Sequence, residues 1–123
     1  MNRLLISFLL VLVPIQDTAA IKHAKDVLEM LKQEKYDQIA SQFNTQMAAA
    51  FNAEKLSQAW KSLQAQAGEF REIIDEKSAN PAPGITAVTL GCHFQNADLN
   101  IILAFDADSK IAGLRFAPRG TLE

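Results

Sequence analysis

"ITAVTLGCHFQNADLNIILAF", residues 85 to 105, decides the fold, because its apolar residues recur with period two on both sides of a polar break. Such alternation marks half-buried β-strands. Val88, Leu90, Cys92 and Phe94 share one face, and Leu99, Ile101, Leu103 and Phe105 share one face of the second run. Reading Asn96 and Ala97 as a two-residue hairpin loop pairs Gln95 with Asp98. Phe94 is then expected opposite Leu99, Cys92 opposite Ile101, Leu90 opposite Leu103 and Val88 opposite Phe105. The other face receives His93 with Asn100, Gly91 with Ile102 and Thr89 with Ala104. A slip by one residue would mix the two faces, so this antiparallel pairing keeps one side apolar.

Downstream, "FDADSKIAGLRF" (105–116) opens like a calcium loop, with Asp106 and Asp108 spaced as its first two ligands. An EF-hand needs oxygen at its fifth position, glycine at its sixth and glutamate at its twelfth. Here those positions hold Lys110, Ile111 and Ala117. "DADSK" is therefore expected to be a turn, in which Asp and Ser bond local backbone groups, and no metal site is expected. Gly113 is expected to mark a bulge that lets Ile111, Leu114 and Phe116 all face the core.

Upstream, "EFREIIDEK" reads as a strand and "SANPAPG" as a connection that two prolines keep extended. The period changes at Gly68, before which the apolar spacing is helical. Ala24, Val27, Leu28 and Leu31 follow one helix face. A short second helix is expected to start at Asp37 as N-cap and to bury Ile39 and Phe43. "NTQMAAAF" leads to Asn52, the N-cap of a third helix whose stripe is Leu56, Trp60, Leu63 and Ala67. Gly68 stands where a positive φ usually ends a helix. The expected fold is thus α+β, with three N-terminal helices packed on a curved antiparallel sheet of about four strands.

The chain starts "MNRLLISFLLVLVPIQDTAA": Arg3, an apolar run from Leu4 to Ile15, then small residues. That order reads as a secretory signal peptide spanning residues 1–20, cleaved after Ala20 or, as runner-up, after Ala19. The run is shorter than the roughly 18 apolar residues of a membrane span, and no cysteine adjoins the cleavage site to carry a lipid. An exported, periplasmic or secreted domain without a stable membrane anchor, residues 21–123, is expected. Twelve Lys and Arg against fourteen Asp and Glu give a net charge of −2. Loss of Arg3 and Asp17 leaves it unchanged, and such a balance favours neither nucleic acid nor an anionic membrane surface. Cys92 is the sole cysteine, so no internal disulfide forms, and its strand position suits a small buried hydrophobe better than a nucleophile.

"EKYDQIASQF", "AEKLSQAWKSL", "AGEFREI" and "FDADSKIAGLRFAP" resemble, in order, a bacterial domain-of-unknown-function family. It lies within the nuclear-transport-factor-2-like, or cystatin-like, superfamily, and its members occur alone or joined to α/β-hydrolases. Ser109 stands where that family usually has a turn glycine. The resemblance implies a cone of helices against a curved sheet. It also implies two possible sites: the cone interior, and an open sheet face that is a frequent dimer surface on this fold.

Ketosteroid isomerases look similar in architecture and use a carboxylate base, with tyrosine or acid hydrogen-bond donors, inside the cone. Glu72, which shares strand parity with Phe70 and Ile74, is the acid for such an isomerase- or dehydratase-type alternative. The remaining strand acids, Glu69, Asp75, Glu76 and Asp98, read as solvated surface. Tyr36 is the only tyrosine. His23 is expected to be exposed near the new N-terminus, and His93 to be hydrogen-bonded on the face opposite the core. "QAQAG" (64–68) echoes a cystatin loop, but it lies at a helix end. No phosphate loop, metal-ligand spacing or serine elbow is present.

The favoured expectation is therefore a non-catalytic binding or interaction module without catalytic residues or cofactor. A pocket for a small apolar ligand is expected among Phe43, Met47, Phe51, Trp60, Phe94, Leu103 and Phe105. A homodimer is expected through Thr89, Gly91, His93, Asn100, Ile102 and Ala104, with Arg115.

Overall fold

The computed structural model describes residues 17–119, so the bulk of the expected leader, residues 1–16, lies outside the described residues. Helix α1 (Thr18–Lys32) is capped by the Asp17 side chain, which accepts from the Ala20 N–H at 2.9 Å. It therefore takes in the three residues just upstream of the expected cleavage point. Its buried face is Ile21, Ala24, Val27, Leu28 and Leu31, one contiguous stripe at helical spacing.

Helix α2 (Tyr36–Ala40) buries Ile39, and Phe43 follows it into the core. Asp37 is not its N-cap as expected: it sits in the first turn, where an acid suits the helix dipole, while Lys35 precedes the helix without a side-chain cap. Among the described residues four helices stand where three were expected. The additional one, α3 (Thr45–Ala50), is capped by Asn44, whose Oδ1 accepts from the Met47 N–H at 2.8 Å. It buries no residue fully, so no apolar stripe announces it.

Helix α4 (Ala53–Ala67) starts under the Asn52 side chain, which accepts from the Lys55 N–H at 2.8 Å. It buries Leu56, Trp60 and Ala67, with Leu63 packed beside them. Gly68 ends it at φ 84°, and a Cβ there would lie 2.5 Å from that of Gln95. Both the backbone angle and the close approach call for glycine.

Strands β1 (Phe70–Ala82), β2 (Ile85–Phe94), β3 (Asp98–Phe105) and β4 (Ile111–Pro118) form a curved antiparallel meander in the order β1-β2-β3-β4. β1 runs further than expected, through Pro81, which an edge strand tolerates. Pro83 and Gly84 alone make the turn to β2. The register breaks between Phe70 and Glu72, between Ile73 and Asp75, and between Ala79 and Ala82.

The β2–β3 register differs from the expected one by two residues. Cys92 pairs with Leu99, Leu90 with Ile101, Val88 with Leu103 and Thr86 with Phe105. On the other face His93 pairs with Asp98, Gly91 with Asn100, Thr89 with Ile102 and Ala87 with Ala104. A slip by two keeps every side chain on its face, so alternation alone cannot detect it. The loop is longer because its backbone docks elsewhere: the Gln95 N–H donates to the Glu69 carbonyl at 2.8 Å and the Asn96 N–H to that of Ala67 at 2.7 Å. The expected bulge is present. Gly113 pairs with Ala104 but Ile111 with Phe105, and Ile111, Leu114 and Phe116 all meet the core.

The core lies between helices and sheet. Trp60 is 1% exposed; it meets the Phe94 ring edge-on at 6.0 Å and the Phe116 ring at 5.8 Å. α1 lies over β1 and β2, and α3 reaches β4. The opposite side of the sheet carries no helix among the described residues.

Candidate interaction surface

All seven residues expected at a dimer surface share the helix-free face, arranged in rows across the strands by the pairing. Glu72, His93 and Asp98 form one row, and Asp75, Gly91, Asn100 and Ala117 the next. Lys77, Thr89, Ile102 and Arg115 follow, then Ala79, Ala87, Ala104 and Gly113.

Glu72 corrects the expectation that it shares a face with Phe70. Arg71 is an extra residue in the first break of β1, which turns Glu72 outward opposite His93 and leaves Ile73 on the core side against Cys92. Ile74 is the extra residue of the second break and is 43% exposed. Glu72 therefore supplies no acid to the interior between helices and sheet. The other strand acids lie at the surface as expected, Glu76 paired with Lys25 of α1 at 2.7 Å.

Arg119, just beyond β4, reaches across the face to Asp75 on β1. Its Nη1 donates to Asp75 Oδ1 at 3.2 Å and to Asn100 Oδ1 at 3.0 Å, and its Nη2 pairs with Asp75 Oδ2. Gly91 lies directly beneath, where a Cβ would run into both the carboxylate and the guanidinium. The absence of a side chain at Gly91 lets a bidentate pair lie flat in the sheet surface. In the adjoining row the His93 ring Nδ1 and Asp98 Oδ1 are 2.6 Å apart.

The seven residues expected to line an apolar pocket lie on the helix side. Phe43, Trp60, Phe94, Leu103 and Phe105 are buried, whereas Met47 and Phe51 are half-buried. Phe43 and Phe51 meet at 6.2 Å. Two concavities open at one end of this layer. One, of about 130 Å³, is lined by Asp17, Ala19, Ala20, Thr86, Phe105, Asp106 and Ser109. The other, of about 480 Å³, is lined by Phe43, Asn44, Thr45, Gln46, Asp106, Asp108 and Lys110.

Asp106 anchors the wall between them as a turn residue. Its Oδ1 accepts from the N–H groups of Lys110 at 3.0 Å and Asp108 at 2.9 Å, and its Oδ2 accepts from Asn44 Nδ2 at 3.2 Å. The Lys110 N–H, followed by Asn44 and the Asp108 N–H, holds this carboxyl below the usual Asp range against a smaller opposing effect of desolvation. Ser109, where the resembling family has glycine, has φ 62°.

His23 is not exposed as expected. It is half-buried, stacked on Phe105 with ring centroids 4.3 Å apart, and its Nε2 lies 2.7 Å from Gln42 Oε1. Cys92 is fully buried; burial first, then the Asp75 carboxylate, pushes its thiol up to about 12, with Arg119 opposing. Its surroundings suit packing rather than nucleophilic chemistry.

Residues 24–114 match the family model described as "Protein of unknown function (DUF3887)". Among curated proteins, the chain is similar to Esterase EstD of Thermotoga maritima, 30% identical over 90 residues. That alignment covers 72% of this chain and 21% of the esterase, so the chain spans about a fifth of that relative's length. No solved structure matches the chain at a significant level.

Proposed function

The chain belongs to the family of proteins of unknown function DUF3887, and from that premise we propose that it is an exported, non-catalytic interaction module that works as a homodimer through its helix-free sheet face. The single observation that carries this reading is the shape of that face. Gly91 lets the Arg119–Asp75 pair lie flat, and a row of Ala79, Ala87, Ala104 and Gly113 keeps one end low. A second sheet can approach such a surface closely, and Ile102 offers it an apolar contact. The four described helices followed by a curved meander support placing the fold among nuclear-transport-factor-2-like cones.

Recognition is assigned to the open face rather than to the interior because Trp60, Phe94 and Phe116 pack ring against ring between helices and sheet. The outward position of Glu72 removes the acid on which the isomerase or dehydratase alternative depended. A second reading comes from the esterase alignment: since the matched stretch is 21% of that protein, the module serves an esterase-type catalytic domain by docking against it.

Light scattering at micromolar concentration tests the first reading. It expects a dimer for the wild type and a folded monomer for Ile102→Glu, which would bury a carboxylate in the contact in place of an apolar side chain. A wild-type monomer overturns it. Export is tested by the mass of the protein recovered outside the cytoplasm. Cleavage after Ala20 would remove the Asp17 cap of α1, an effect of about 1 kcal/mol. Processing upstream of Asp17 would keep it.

A further inference from the structure

The charges on the open face are sorted by row. Glu72 and Asp98 flank His93 in one row, while Lys77 and Arg115 flank Thr89 and Ile102 two rows away. Glu72, Lys77 and Arg115 make no ion pair among the described residues. The two rows are four residues apart on β2, roughly 13 Å at the rise of a strand, too far for Glu72 and Lys77 to pair within one chain. Between them lies the neutral row, in which Asp75 and Arg119 cancel each other over Gly91.

A surface with an acidic row, a neutral row and a basic row is complementary to itself in one orientation. We infer that the second copy sits on this face with its two-fold axis running across the strands at the level of Gly91 and Asn100, so that the acidic row of each copy lies over the basic row of the other. This rests on the face-to-face dimer proposed above and adds its orientation. Under that axis β1 lies over β1 of the second copy, and Glu72 of each meets Lys77 of the other. Arg115 of each comes toward Asp98 of the other. The competing two-fold axis, running along the strands, would stack β1 on β4 at equal heights and bring Lys77 over Arg115, cation on cation. Like-charge contact of this kind selects against an orientation as effectively as attraction selects for one. Aligned sheets lie about 10 Å apart, a gap that a lysine and a glutamate span together. An isologous interface makes each such pair twice.

Reversing these charges tests the orientation separately from the dimer. Glu72→Lys places lysine over lysine twice, and Lys77→Glu places glutamate over glutamate twice. Each variant alone is expected to self-associate roughly tenfold more weakly than wild type, two exposed pairs having changed from attraction to repulsion. An equimolar mixture of the two is expected to regain wild-type affinity as a heterodimer, because each reversed charge then meets its opposite. That recovery also shows both variants folded. Wild-type affinity in both single variants, with Ile102→Glu still monomeric, overturns the orientation and leaves the face-to-face dimer standing. Weak singles with no recovery in the mixture overturn the Glu72–Lys77 pairing. A wild-type monomer removes the dimer and the orientation together.

Discussion

Arg119 and Asp75, 44 residues apart in the chain, are bound to each other across the width of the sheet, and Gly91 makes room for them. The atoms that a Gly91 side chain would meet are the ends of two flexible side chains, which can move away. Gly91→Ala is therefore expected to fold, losing no more than the worth of a half-exposed ion pair, about 1 kcal/mol or less in urea titration. Its effect falls on the face: the displaced pair stands proud of the sheet, and self-association measured by sedimentation should weaken. Unchanged association would mean that the face is not the contact.

Trp60 is the largest buried side chain of α4 and touches Phe94 and Phe116 from the helix side. Trp60→Ala removes it from a packed layer and should lower stability by about 3 to 5 kcal/mol, a large share of what a small domain possesses. A denaturation midpoint equal to wild type would refute the placement of this ring.

Cys92 should be inert while the protein is folded. With its thiol pushed up to about 12 and no exposed surface, almost none is thiolate at neutral pH. Iodoacetamide should leave the native protein unmodified over a period that fully alkylates it in urea. Equal rates in the two conditions would contradict the burial.

Asp106 makes stability depend on acid pH in a set direction. Its folded carboxyl titrates below its usual value, held there chiefly by the Lys110 N–H. The stabilisation is therefore fully present above the ordinary Asp range and is lost as pH falls through the lowered folded value. The stability difference between wild type and Asp106→Ala should shrink as pH falls through that range. A difference that is constant with pH would show that the turn does not depend on the charged form.

Legibility differed by element, for physical reasons. The face of each residue on β2 and β3 was readable because alternation records parity. The register was not, since a slip by two preserves parity and the loop length is decided by Gln95 and Asn96 bonding to the end of α4 and the start of β1. The same limit misplaced Glu72: an unpaired Arg71 reverses parity without leaving a mark in composition. Helix α3 escaped because Thr45–Ala50 has no buried stripe, although Asn44 was a usable cap signal. The bond between Asp75 and Arg119 has no local pattern at all. Its one trace is Gly91 itself, a glycine within an otherwise well-formed strand, which is a sign that something approaches the backbone closely.

The broken register of β1 has a bearing on aggregation. An edge strand with a regular ladder offers its free N–H and C=O groups to any other chain. Three interruptions and Pro81 deny β1 a continuous run of them. At the other edge, the start of β4 is already engaged: the Ile111 N–H donates to the Gln42 carbonyl at 2.8 Å and the Asn44 N–H to that of Ile111 at 2.9 Å. Open-ended strand-to-strand growth is thus discouraged along β1 and at the start of β4, so the closed contact proposed above would bring copies together without also offering them an edge from which fibres could grow.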